Sequence, residues 1–187
     1  MAPMIAPLTG KTERLASEPM RPTGDRIASS GTFDGTTHVF PLRVYYEDTD
    51  AAGIVYYANY LKFAERARTE LMRLLGAEHR TMMAEDGIGF AVRAVAAEYL
   101  QPARLDDAIA VHTRVERVGG ASIGMTQTVV RPGGTDSAPS AATVLAAMTV
   151  RLACIDGRQR AARLPHPVRA ALQNLVDGAG DRRPGLG

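Results

Sequence analysis

The chain has 187 residues, a net charge of +2 and a hydrophobic share of 45%. That length fits one domain with tails, and the apolar content suffices for a packed core, which excludes global disorder. The small charge argues against a dedicated nucleic-acid binder, although arginine, the side chain suited to bidentate phosphate contact, far outnumbers the only two lysines, Lys11 and Lys62.

Residues 1–37 mix Pro, Gly, Ser, Thr and charge without a helical or strand period and read as a flexible extension. Pro3, Pro7, Thr9, Gly10 and Lys11 interrupt any apolar core of signal-peptide length, so a cytoplasmic protein is expected. His38–Glu47 (HVFPLRVYYE) is rich in β-formers, and Pro41 suits an edge position early in a strand. An acidic turn from Glu47 to Gly53 leads into a long amphipathic helix. Its apolar positions from Tyr60 are Phe63/Ala64, Ala67, Leu71 and Leu74/Leu75, the three-four spacing of one buried face. Gly76 suits a left-handed stop. A shorter helical turn over Glu78–Glu85 is broken by Gly87 and Gly89.

Four extended segments follow: Phe90–Leu100, Ala108–Val118, Ile123–Val130 and Thr143–Ile155. Short turn sequences separate them, which predicts an antiparallel meander. The single Cys154 lies in the apolar run Val150–Ile155 and reads as a small buried hydrophobe; it can form no intramolecular disulfide, and no Cys/His spacing suits zinc. Leu164–Val176 predicts a last helix, and 177–187 a frayed tail. The expected domain is therefore 38–176. Its class is α+β, an antiparallel five-stranded sheet wrapped around one long central helix, because only that helix can cover the sheet's apolar face. Ala64 and Ala67 would let a curved sheet come close.

Carboxylates just before a helix start face the space served by its unpaired backbone N–H groups. Asp48 and Asp50 occupy that place, either as turn-shaping residues or as chemistry. An aspartyl-phosphate enzyme also uses such a turn, but it needs alternating strands and helices and a downstream lysine, and Lys62 lies inside the helix. A serine-hydrolase elbow (GxSxG) is absent from the sequence. His112 and His166 have no carboxylate at a telling spacing and read as structural or surface residues.

Tyr46-x-Asp48-Thr49-Asp50-x-x-Gly53-Ile54-Val55-Tyr56-x-x-x-Tyr60-x-x-x-x-Glu65-x-x-Arg68 resembles the signature of the 4-hydroxybenzoyl-CoA thioesterase family. Glu98-Tyr99-Leu100-x-Pro102-Ala103-x-Leu105-Asp106-Asp107 and Gly120-Ala121-Ser122, with Gln127 beyond, extend the match over roughly Phe40 to Leu175. The resemblance, strongest to the Tol–Pal-associated branch, implies a hot-dog fold, acyl-CoA thioester hydrolysis and active sites at the interface of a homodimer or homotetramer. It implies Asp50 as nucleophile or general base, the Tyr57 amide polarising the carbonyl, and Gly53 letting the backbone approach. Tyr56, Tyr60, Glu65, Arg117, Gly120 and Ser122 are the expected substrate-binding residues, with Tyr45 and Tyr46 as further pocket or core aromatics. No metal or cofactor is expected, coenzyme A being part of the substrate. An aryl-CoA substrate, or an acyl-binding scaffold without hydrolysis, are the alternatives. Peripheral association with envelope or lipid-synthesis proteins is the further partner class. The chain departs from the family in its long extension, in the loop 133–140, and in Tyr57, where many members carry histidine.

Overall fold

The computed structural model describes residues 30–133 and 141–180. Most of the expected extension, most of the expected long loop and the end of the tail lie outside those residues.

The strands are β1 (Thr32–Asp34), β2 (Thr37–Arg43), β3 (Ile88–Tyr99), β4 (Ala108–Val118), β5 (Ser122–Arg131) and β6 (Thr143–Asp156). The helices are α1 (Tyr57–Leu74), α2 (His79–Glu85) and α3 (His166–Gly180). One antiparallel sheet runs in the order β1-β2-β4-β5-β6-β3. The sheet thus has six strands, not five. The additional one is β1, whose three residues are all exposed and carry no apolar period to betray a strand. It folds back on β2 through Asp34↔Thr37, so the folded domain begins before residue 38. β1 reaches only as far as Val39 on its partner, so Pro41 occupies the stretch of β2 left as an edge on that side.

The first predicted strand also ends early. β2 stops at Arg43, and Tyr46–Asp48 winds into a 3-10 turn, because the Asp48 carboxylate accepts the Tyr45 amide and closes it. The last helix ends at Gly180, four residues past the expected limit. Gly76 takes φ +72° after α1, the left-handed conformation expected of a helix stop.

Register shifts at Val92/Ala94 and Val115/Arg117 place one extra residue in each of β3 and β4. Such bulges bend a strand and increase its twist, which curves the sheet around α1. The buried stripe of α1 is Tyr60, Phe63, Ala64, Ala67, Arg68, Leu71 and Met72, with Asn59 at its start. Phe63, Ala64 and Ala67 pack with Val111, Val129 and Leu145 from the sheet. Leu71 and Met72 join a second cluster with Ile123, Met125, Cys154 and Leu172 of α3. Each large side chain in these clusters contributes about 1.5–3 kcal/mol by leaving water. The small residues do their predicted work: the Gln127 side-chain amide donates to the Ala64 carbonyl at 2.9 Å, so β5 lies close against the helix backbone there. Cys154 is fully buried, and burial raises its thiol pKa. Among the described residues no helix is long and apolar enough to cross a membrane.

Candidate active site

The acidic turn is a tight hairpin. The Asp50 amide donates to the Ile54 carbonyl (2.9 Å), the Gly53 amide to the Asp50 carbonyl (2.9 Å), and Thr49 bridges Val55. Gly53 sits at φ +71°, where a side chain would strain the backbone. Asp50 Oδ1 accepts the Ala52 amide at 2.8 Å, a local bond that holds the carboxylate without burying it. The two acids then part company. Asp48 is 4% exposed and its carboxylate is tied to the Tyr45 amide, so it shapes the turn; Asp50 is exposed at the tip.

Helix α1 starts at Tyr57, three residues before the first apolar position legible in the sequence. Tyr56 is the N-cap and makes no side-chain cap bond. The Tyr57 amide, at the first helical position, has no carbonyl one turn earlier to accept it and carries the partial positive charge of a helix start. Asn59 is inside the helix, and its Nδ2 donates to the Asp48 carbonyl at 2.9 Å.

Asp50 and Tyr57 line one cavity of about 370 Å³, together with Tyr60, Tyr99, Leu100 and Pro102. The opposite wall is the segment after β3, which several bonds fix. The Tyr60 hydroxyl accepts the Ala103 amide at 2.9 Å, and the Val55 amide donates to the Ala103 carbonyl at 2.9 Å. Arg131 donates to the Pro102 carbonyl at 3.0 Å and to the Asp107 carboxylate. Burial pushes the Asp107 pKa up, but Arg131 and the Arg104 amide outweigh it and hold the carboxyl below its ordinary value. Burial raises the Tyr60 phenol, which keeps it protonated. The rings of Tyr57 and Tyr60 meet Tyr99 edge-on at 6.0 and 5.6 Å, so the cavity has an aromatic side.

Of the expected site residues, the described chain brings together Asp50, Tyr57 and Tyr60, with Gly53 in the same turn. The Tyr56 ring lies tilted beside that of Tyr57, centroids 4.6 Å apart, but is turned to the surface, and the neighbouring Tyr57 raises its phenol pKa. Tyr45 and Tyr46 are exposed and belong to neither pocket nor core. Glu65 lies two turns along α1 in an ion pair with Arg68, at a separate hollow with Val92 and Val95. Arg117 faces a third hollow, with Gly124 and Arg151, and Gly120 and Ser122 form the β4–β5 turn. A single protomer does not place these four at the Asp50 cavity. Among the described residues no group of three or more His, Cys, Asp or Glu is placed to hold a metal. Tyr99, Leu100 and Pro102 were visible in the sequence only as part of a motif. Arg131 gave no signal there, because its partners are 24 and 29 residues away.

A curved antiparallel sheet around one long helix is the hot-dog architecture, and here an exposed acid and the helix's first turn line one cavity. The model of the thioesterase-like superfamily matches residues 44–172, and the chain belongs to that family. It is 42% identical over 137 residues to the acyl-CoA thioesterase YbgC of Haemophilus influenzae, covering 73% of this chain and 94% of that protein. It is 47% identical over 91 residues to the acyl-CoA thioester hydrolase YbgC of Escherichia coli O157:H7, covering 49% of this chain and 67% of that one. Among solved structures, a probable thioesterase from Bartonella henselae superposes with a TM-score of 0.61 at 32% identity, over 69% of this chain and 99% of that one.

Proposed function

We propose that this protein hydrolyses the thioester bond of an acyl-CoA, with Asp50 as nucleophile or general base and the Tyr57 amide polarising the carbonyl. The observation that carries the reading is that the Asp50 carboxylate and the tip of α1 line one cavity. As nucleophile, Asp50 attacks the carbonyl carbon, the C–S bond breaks, and CoA leaves as thiolate and takes a proton; water then cleaves the mixed anhydride. As general base, Asp50 takes a proton from the water that attacks and returns it to the departing sulfur as the C–S bond breaks, so CoA leaves as thiol. Both routes yield free acid and CoA. In both, charge develops on the carbonyl oxygen, where one preorganised donor contributes about 2.7–4 kcal/mol. The substrate sets the cytoplasm as the compartment of this reading.

The three tyrosines favour an aryl acyl group, such as 4-hydroxybenzoyl, as a second substrate reading. A second copy pairing along the β3 edge, where Val92, Val95, Tyr99 and Leu100 are exposed, is the assembly that fits it. The test is thiol release from a panel running from acetyl- to palmitoyl-CoA with one aromatic acyl-CoA. Turnover is expected for at least one of them and is lowered roughly a hundredfold or more in Asp50→Asn, with unchanged melting. Release from none of the panel would leave an acyl-binding scaffold instead.

A further inference from the structure

We infer that Asn59 is a positioning residue that sets the Asp50 turn against the tip of α1; the inference rests on the proposed role of Asp50. Bonds within the acidic hairpin join its residues to one another, and Ile54 and Val55 tie its second arm to Arg104 and Ala103 on the far wall. Its angle to the helix is a separate matter. The Asn59 side-chain amide joins α1 to the segment 45–56 through the Asp48 carbonyl. The carbonyl it grips, that of Asp48, also accepts the Tyr56 amide at 2.9 Å, so both its lone pairs are engaged. One carbonyl thus ties together the 3-10 turn, the stem leading to the helix and the helix itself. Asp50 follows two residues later.

Helix propensity does not account for an asparagine there. It is a weak helix former, and at 5% exposure it carries an amide that must find partners out of water. The neighbouring Tyr60 sends its hydroxyl the other way, to the Ala103 amide on the far wall. Two consecutive side chains of the first turn of α1 therefore hold the two sides of the cavity, and Asn59 holds the side with the carboxylate.

The test is a double-mutant cycle on the full chain. In steady-state thiol release from an acyl-CoA that the wild type turns over, Asn59→Ala lowers kcat roughly ten- to a hundredfold with KM within about twofold. In the Asp50→Asn background, read by single turnover with excess enzyme, the same substitution changes the residual rate less than about twofold, because the group it positions is gone. A loss carried undiminished into Asp50→Asn, a loss explained by KM, or wild-type kcat in Asn59→Ala overturns the role while leaving Asp50 catalytic. Full turnover in Asp50→Asn alone removes Asp50 from the chemistry, and this role with it. Where Asn59→Ala does not fold, Asn59→Asp, nearly isosteric but without the amide donor, is read in the same cycle.

Discussion

Helix α1 carries polar groups in two places, and they are treated oppositely. At mid-helix, Arg68 is buried and donates to Gln127 Oε1 at 2.5 Å and to Glu65; Gln127 in turn donates to the Ala64 carbonyl and to Thr113 Oγ1 at 3.0 Å. Every member has a partner, so the cluster joins helix to sheet. At the helix start, the Tyr57 amide has no helical acceptor and the Asp50 carboxylate is bonded only within its own turn. The groups around them, Asp48, Asn59 and Tyr60, are the satisfied ones. Saturated polar groups build this protein, and the unsaturated pair they hold in place is where the proposed chemistry falls.

That contrast can be broken most forcefully at Gln127. Replacing it by Leu removes one bond each from the Arg68 guanidinium, which keeps Glu65, the Thr113 hydroxyl and the Ala64 carbonyl, and should cost about 3 kcal/mol in urea unfolding while the folded fraction keeps turnover within about twofold. A matching loss of turnover per folded molecule would show that the mid-helix cluster also serves the chemistry. Tyr60→Phe is the intermediate case, because it leaves the Ala103 amide unpaired at the cavity wall. It should cost about 1 kcal/mol, and kcat/KM should drop several-fold by loosening the wall. Unfolding and kinetics measured on one preparation separate the two effects.

The smallest effect concerns His38, a saturated place with one loose end. Its Nε2 bonds the Ser30 carbonyl at 2.7 Å, whereas Nδ1 has no partner among the described residues. Burial holds its pKa below the ordinary 6.5, against a raising influence from that bond and from Glu70. A depressed folded value means the unfolded chain takes up the proton first. The stabilising contribution is therefore complete above pH 6.5 and is lost as pH falls below it. Glu70, lowered chiefly by Arg73, loses its own contribution only below its ordinary 4.5. Melting temperature between pH 6.5 and 5 should accordingly drop more in wild type than in His38→Gln; equal slopes would mean that His38 does not titrate there.

Much of this was legible beforehand, and the limits have physical causes. The long helix announced itself through a three-four period, and the four later strands through β-formers between turn residues. Ala108–Val118 was located to the residue. Period fails where nothing is buried: β1 exposes all three residues, and the first turn of α1 precedes the apolar stripe. For the site, resemblance singled out Asp50 and Tyr57, but composition could not say which acid would be buried. Asp48 is, because its carboxylate closes the 3-10 turn. The Asn59 and Arg131 tethers joined residues 11 to 29 positions apart, a relation that only the fold reveals.

Gly31 has a practical bearing on how the chain can be trimmed. Its φ is +84°, and a Cβ there would stand 2.5 Å from the Val39 carbonyl oxygen. Backbone packed so tightly behaves as a seam, not as a leader. A start site chosen at residue 38, where alternation first becomes visible, would strip β1 from its neighbour and uncover the His38 ring. A start before Ser30 keeps the seam closed, so a chain begun there should melt at a higher temperature than one begun at residue 38.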